Sequence, residues 1–150
     1  ITKSVYQNLK SINEIGAKLE IFREELVPCH NDLVSENILI KNEKLYIIDF
    51  DYSGNNDPCF EIGNLCVEMD FNEKQVNQII EKYFGELNNH LISRVNLHAI
   101  LSDFGWSLWS FIQSTISNVD FDFKQYGNHR LNRAISKIHS SNYDYWMKGL

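Results

Sequence analysis

Apolar residues recur three and four apart at Val5, Leu9, Ile12, Ile15, Leu19 and Phe22, which predicts an amphipathic packing helix from Thr2 to Arg23. The period then changes. Ile38 to Ile40 and Leu45 to Ile48 are short apolar runs of strand type, and Lys41-Asn-Glu-Lys44 between them reads as a hairpin turn. Asn55-Asn56-Asp57-Pro58 is a turn cluster, and the stretch Phe60 to Asp70 predicts a short buried helix with Ile62, Leu65, Cys66 and Met69 inward. Asn72, with Gln75 three residues later, opens another helix that runs to Phe84 and stops at Gly85. A long helix from Asn89 to Ser117 follows. Gly127 to Ser140 reads as a basic helix with Leu131, Ala134, Ile135 and Ile138 inward, and with His129, Arg130, Arg133, Lys137 and His139 on a solvated face. The aromatic tail around Tyr143 and Trp146 is expected to dock back. The fold class is therefore mainly α with a small β hairpin (α+β), in one domain without internal repeats.

Five polar residues, His30, Asp32, Asn37, Asp49 and Asp51, stand between the strand-like runs. With the turn centred on Glu43, antiparallel pairing sets Asn37 opposite Asp49 and makes neighbours of two oxygen ligands distant in sequence. Asp51 shares the parity of Asp49 and faces the same way while the chain stays extended. Asp32, five residues before Asn37, overhangs the same point. Carboxylates and an amide that converge in this way suit a hard divalent cation such as Mg²⁺ together with a base. As loop polars that merely cap a hairpin, they would be explained singly but poorly as a set of five.

Composition narrows the partners. The net charge of −6 argues against nucleic acid or an anionic membrane surface. The longest apolar runs are a few residues, so no membrane insertion is expected. Cys29, Cys59 and Cys66 are odd in number and lack Cys-x-x-Cys spacing, which favours reduced thiols and a cytoplasmic location. Cys29 and His30 are adjacent, point to opposite faces of a strand, and so do not form a nucleophile and base. Seven acids lie between Leu45 and Glu73 with no Lys or Arg among them, and the metal pair falls inside that run. This favours a negatively charged pocket over a solvated acidic face.

The spacing His-x-Asp-x-x-x-x-Asn, then a strand ending in Asp-Phe, resembles the catalytic and metal loops of protein-kinase-like phosphotransferases. The wording Cys-His-Asn-Asp with Asn-Ile-Leu, and Ile-Asp-Phe-Asp-Tyr-Ser-Gly-Asn-Asn-Asp-Pro, is similar to the choline and ethanolamine kinase family. The resemblance implies the C-terminal lobe of the kinase-like fold and ATP-dependent phosphorylation of choline, ethanolamine or a related amino alcohol. Asp32 would accept the substrate hydroxyl proton, His30 would brace the loop, and Asn37 and Asp49 would hold Mg²⁺ and the nucleotide phosphates with Asp51 assisting. Two positions depart from the family's pattern. Glu61 stands where an Asp braces the catalytic loop, so the extra methylene alters that reach, and Asp51 stands where Glu is usual.

Trp106 and Trp109, three apart on the long helix, share a face with Asp103 one turn before and Gln113 one turn after. Such a pair is core more often than ligand site. The family resemblance weights the other way, because Trp-x-Leu-Trp followed by Ile-Gln and later Tyr126 looks like its aromatic box for a trimethylammonium head. A quaternary ammonium has no N–H donors and is held by ring faces, each contributing about 0.5 to 2 kcal/mol. Trp106, Trp109 and Tyr126 are the box candidates, with Glu68 as the acidic residue near the cation.

Only 29 residues precede His30, and they hold one glycine, Gly16. The lobe that covers ATP phosphates in kinase-like enzymes does not fit there, so a C-terminal lobe of a longer protein is expected, one that holds nucleotide weakly by itself. Other readings stay open: a kinase of an aminoglycoside or sugar, a metal-dependent hydrolase using the same carboxylates, or an inactive lobe serving as a binding or homodimerisation module.

Overall fold

The computed structural model describes residues 3–22 and 25–150. Helix α1 spans Lys3–Ile21, and the predicted ends Thr2 and Arg23 lie outside the described residues. Strand β1 (Val27–Cys29) leads through the loop 30–34 and a single 3-10 turn (Ser35–Asn37) into the hairpin of β2 (Ile38–Lys41) and β3 (Lys44–Ile47). Strand β4 (Gly54–Asn56) follows, then α2 (Pro58–Glu68), α3 (Glu73–Phe84), α4 (Asn89–Ile116), α5 (Phe123–Ile138) and α6 (Tyr143–Lys148).

Local chemistry accounts for the helix ends. Asp57 caps α2 by accepting the Cys59 N–H at 2.7 Å, and Pro58 occupies the first turn, where its missing N–H costs nothing. Asn72 and Gln75 form the expected capping box, and Gly85 closes α3 with φ 76°. The predicted turn at Asn55 and Asn56 is instead strand β4, which pairs antiparallel with β1 so that Cys29 faces Gly54 and Val27 faces Asn56. Three-residue strands without apolar alternation leave no periodic signal.

Helix α4, 28 residues and about 42 Å long, is the spine. On one side Leu97, Ile100 and Phe104 pack with Val5, Ile15 and Leu19 of α1, Leu131, Ala134 and Ile138 of α5, and Trp146 of α6. On the other, Leu91 and Val95 pack with Cys59, Ile62 and Cys66 of α2 and Val76 and Ile80 of α3. A helix apolar on two sides must be sandwiched. Gly63 permits the close approach of α2, since a Cβ there would lie 2.8 Å from the Val95 carbonyl oxygen and the Ala99 nitrogen. The docked tail matches expectation. None of the helices among the described residues is long and apolar enough to cross a membrane.

Candidate functional site

Pairing of β1 with β4 sets the loop 30–34 against the segment after β3. The first turn of α2 then clamps it: Glu61 accepts the His30 N–H with Oε1 at 2.7 Å and the Asn31 N–H with Oε2 at 2.8 Å. The longer side chain therefore does make the brace that its departure from Asp put in question. Asn31 sits at φ 67°, a left-handed conformation that Asn tolerates, and its side chain donates to the Tyr52 carbonyl at 2.9 Å while accepting from Asn56 at 2.9 Å.

His30 is buried. Its Nδ1 accepts the Asp32 N–H at 3.3 Å, which leaves Nε2 to donate to the Ile48 carbonyl at 2.8 Å. The imidazole thus ties the loop to the end of β3. The buried Asn37 donates through Nδ2 to the Asp32 carbonyl at 3.0 Å. Burial pushes the Asp32 carboxyl above its ordinary value and the charge of Asp49 adds to this, against the opposing pull of His30, Arg130 and the Asn37 hydrogen bond. Asp32 and Asp49 therefore lie within electrostatic reach of one another.

The hairpin register differs from expectation by one residue. Ile38 pairs with Ile47 and Lys41 with Lys44, so the reversal is the two-residue turn Asn42-Glu43, both residues at positive φ (51° and 60°). Two left-handed central residues match the strand twist, whereas a turn centred on Glu43 would require an odd loop. Asn37 consequently faces Ile48, whose N–H it receives at 3.0 Å, and not Asp49. Asp49 itself adopts φ 63°, which breaks the extended chain, so the parity argument for Asp51 fails; Asp51 lies in the following turn.

No group of three His, Cys, Asp or Glu side chains among the described residues is arranged to hold a metal ion. Mg²⁺ does not need one, because it keeps several waters and takes one or two carboxylates plus phosphate oxygens. Asn37, whose Nδ2 is committed to the Asp32 carbonyl, offers its amide oxygen, and Asp49 and Asp51 are exposed carboxylates nearby in the chain. The donor chemistry fits that ion.

Trp106 and Trp109 are neither sealed in the core nor loose. Both are partly buried, edge-on at 5.5 Å between ring centroids. Tyr52 meets Trp106 at 5.5 Å, Trp109 meets Phe123 at 5.8 Å, Phe123 meets Phe121 at 4.9 Å and Phe121 meets Tyr126 at 5.8 Å. One aromatic wall thus joins all three box candidates. Sequence reasoning missed Tyr52, Phe121 and Phe123 as wall members; Tyr52 comes from the loop after β3, and only the tertiary fold brings it to α4. A cleft of about 340 Å³ opens on this wall, lined by Tyr52, Trp106, Trp109, Phe60, Ser102 and, from the loop 30–34, Asn31.

Glu68 and Tyr126 are joined by a residue that the sequence reading left in solvent. Arg130 is buried, ion-paired with Glu68, 2.9 Å from the Tyr126 hydroxyl and 3.0 Å from Asp103 Oδ1. Arg133 donates to both Asp103 oxygens, at 2.7 and 2.6 Å. Helix α5 begins at Phe123 rather than Gly127, and Arg130 lies on its inward face with Gly127, Leu131 and Ala134, where the buried Asp103 of α4 and the largely buried Glu68 of α2 need counter-charges; His129 and His139 do stay exposed.

Behind the site, Asp57 receives Arg94 Nε at 2.8 Å and stands 3.2 Å from His98 Nε2, while Arg94 also donates to the Phe22 carbonyl at 2.5 Å. Burial opposes ionisation of Asp57, but hydrogen bonds and charge from His98 and Arg94 and the Cys59 N–H outweigh it and hold its carboxyl far below the usual range. The three cysteines are free and buried, and burial pushes the Cys29 thiol up to about 11 and the Cys66 thiol up to about 12.

Comparison with known proteins bears on the family and the fold. The family model described as choline/ethanolamine kinase matches residues 2–83 and 71–135. Mouse ethanolamine kinase 2 is 29% identical over 163 residues, covering 89% of this chain and 42% of that protein. Among solved structures, a choline/ethanolamine kinase family protein from Mesorhizobium loti superposes with a TM-score of 0.91 at 28% identity, covering 99% of this chain and 51% of the other. The choline kinase LicA from Streptococcus pneumoniae superposes with a TM-score of 0.71 at 27% identity, covering 92% and 50%. The chain spans about half the length of the relatives it matches. With a family match that extends over both the clamped loop and the indole helix, the chain belongs to the choline/ethanolamine kinase family.

Proposed function

We propose that in the intact protein this lobe carries the amino-alcohol site of an ATP-dependent kinase that phosphorylates the hydroxyl of choline or a related amino alcohol. One observation carries the reading. The cleft walled by Trp106, Trp109 and Tyr52 is lined also by Asn31, the neighbour of Asp32, so an ammonium head on the rings would leave its hydroxyl beside the loop. Cation capture on ring faces suits an alkylammonium and has no evident use for a polyhydroxylated sugar.

In this reading Asp32 orients the hydroxyl and takes its proton as the new O–P bond forms and the bond from the γ-phosphorus to ADP breaks. Raised by burial, its carboxyl is a better proton acceptor than an exposed Asp. His30 and Glu61 act on the loop and not on substrate. Asn37 and Asp49, with Asp51, would hold Mg²⁺, which supplies positive charge against the developing phosphoryl charge.

The remaining lobe belongs to the proposal as well. Leu39, Ile40, Leu45 and Tyr46 of the hairpin are exposed, and exposed apolar clusters mark surfaces that are covered in the complete molecule. A nucleotide-binding half packed there would complete the ATP site. The reading also keeps the protein in the cytoplasm, where its three thiols stay reduced.

The test uses the intact protein with ATP, Mg²⁺ and choline. ADP and phosphocholine are expected in equal amounts, and Asp32→Asn should reduce turnover by about 10²-fold or more with the fold intact by circular dichroism. Release of free phosphate without phosphocholine would make it a hydrolase, and full activity in the variant would remove Asp32 from the mechanism.

A further inference from the structure

Arg130 is a buried side chain that the proposed reaction does not use. Only 1% of its side chain is exposed, and it reaches four groups at once. Nη1 pairs with Glu68 and donates to the Tyr126 hydroxyl at 2.9 Å, Nη2 donates to Ser102 Oγ at 3.3 Å, and Nε lies 3.0 Å from Asp103. Its guanidinium carbon also stands 5.5 Å from the centroid of the Tyr126 ring. Glu68 sits on α2, Ser102 and Asp103 on α4, and Tyr126 on α5, so one planar fork joins the three helices that surround the aromatic wall. Ser102 lines the cleft itself.

We propose that Arg130 is the positioning residue of the amino-alcohol pocket: it holds Ser102 of the cleft lining, the Tyr126 ring at the end of the aromatic wall and the Glu68 carboxylate in one arrangement, so that the ammonium group meets a formed wall. The inference rests on the amino-alcohol reading of this cleft. Arg130 touches no substrate atom; it acts through Ser102, through Glu68, and through Tyr126, whose ring reaches Trp109 by way of Phe121 and Phe123.

The charges that face Glu68 are Arg130 and Arg133 of α5 and Asp103 of α4, with the Tyr126 hydroxyl also on α5. Burial drives the Glu68 carboxyl upward and Asp103 adds to it, while Arg130 first and Arg133 second pull it down. Arg133 is already committed to both oxygens of Asp103. Without Arg130, therefore, the carboxylate loses its main support and is pushed further upward. Ammonium binding would then be present above that raised pKa and lost as pH falls through it.

The experiment measures choline binding to the intact protein by tryptophan fluorescence from pH 6 to 9, and steady-state kinetics at pH 8. Wild type should bind choline with little pH dependence. Arg130→Met should raise KM for choline about tenfold, a difference of about 1.4 kcal/mol, leave KM for ATP and kcat within about twofold, and make choline affinity fall as the pH is lowered across this range. Arg130→Lys keeps the charge but not the fork, and should restore flat pH dependence while retaining a severalfold higher choline KM. Parallel loss of choline and ATP affinity, or a pH profile in Arg130→Met as flat as wild type, would overturn the inference. If Arg130→Met does not fold, Arg130→Lys decides: an unchanged choline KM refutes the inference and a selective rise supports it. Wild type that binds neither choline nor ethanolamine would sink the underlying reading instead.

Discussion

Removing the carboxylate of Glu61 should release the loop 30–34 while leaving the helical core in place. Its two oxygens accept the backbone N–H groups of His30 and Asn31 at 2.7 and 2.8 Å. Each is a hydrogen bond to a charged acceptor, worth about 1.5 to 3 kcal/mol net. The loop they hold includes a left-handed Asn31, a conformation that costs roughly 1 kcal/mol and persists only under constraint. Glu61 is partly solvated, so water replaces part of the loss in Glu61→Ala, and the loss is capped by the free energy at which the loop opens alone. A decrease of about 2 to 4 kcal/mol in unfolding free energy follows, or a drop in Tm of about 3 °C per kcal/mol for a chain of this size. Glu61→Gln keeps the shape but turns an amide N–H toward one backbone donor, and should recover about half. Urea denaturation gives the magnitude. Amide hydrogen exchange locates it, with His30 and Asn31 exchanging faster while Val95 and Ile100 in the spine keep their protection relative to global unfolding. Glu61→Ala with an unchanged midpoint and unchanged exchange at residues 30 and 31 would refute the brace.

Gly63→Ala should destabilise the protein. Alanine favours a helix by about 1 kcal/mol, but its Cβ would sit 2.8 Å from backbone atoms of Val95 and Ala99 that no side-chain rotation can move, at a cost of about 1 to 3 kcal/mol, so a lower Tm is expected in thermal melts. Asp57→Asn strands the buried Arg94 and should cost about 3 to 5 kcal/mol by urea titration. The Asp57 carboxyl is depressed in the folded state, so its contribution is present above the unfolded value of about 3.9 and is lost as pH falls below it. Wild type should thus lose more stability than Asp57→Asn between pH 5 and pH 2, and equal acid sensitivity of the two would contradict the assignment.

The capping box at Asn72 and Gln75, the stop at Gly85 and the three-and-four spacing along α1 were legible in the sequence because each is a local pattern that its own segment satisfies. So was the gathering of His30, Asp32 and Asn37 into one loop, whose residues are too close in sequence to separate. The exact pairing of the hairpin was not, because Asn42 and Glu43 both enter the left-handed region without a glycine to announce it, and that shift by one residue moved Asn37 from Asp49 to Ile48. Nor could periodicity show that Glu61 reaches two N–H groups some thirty residues earlier, or that Tyr52 closes a wall begun by Trp106. Arg130 and Arg133 read as a solvated stripe because helical spacing reports where side chains point along one axis, and only the helices packed against α5 decide which charges lose their water. Asp103 lay buried and Glu68 largely so on those helices, and pairing was the arrangement that offset the cost.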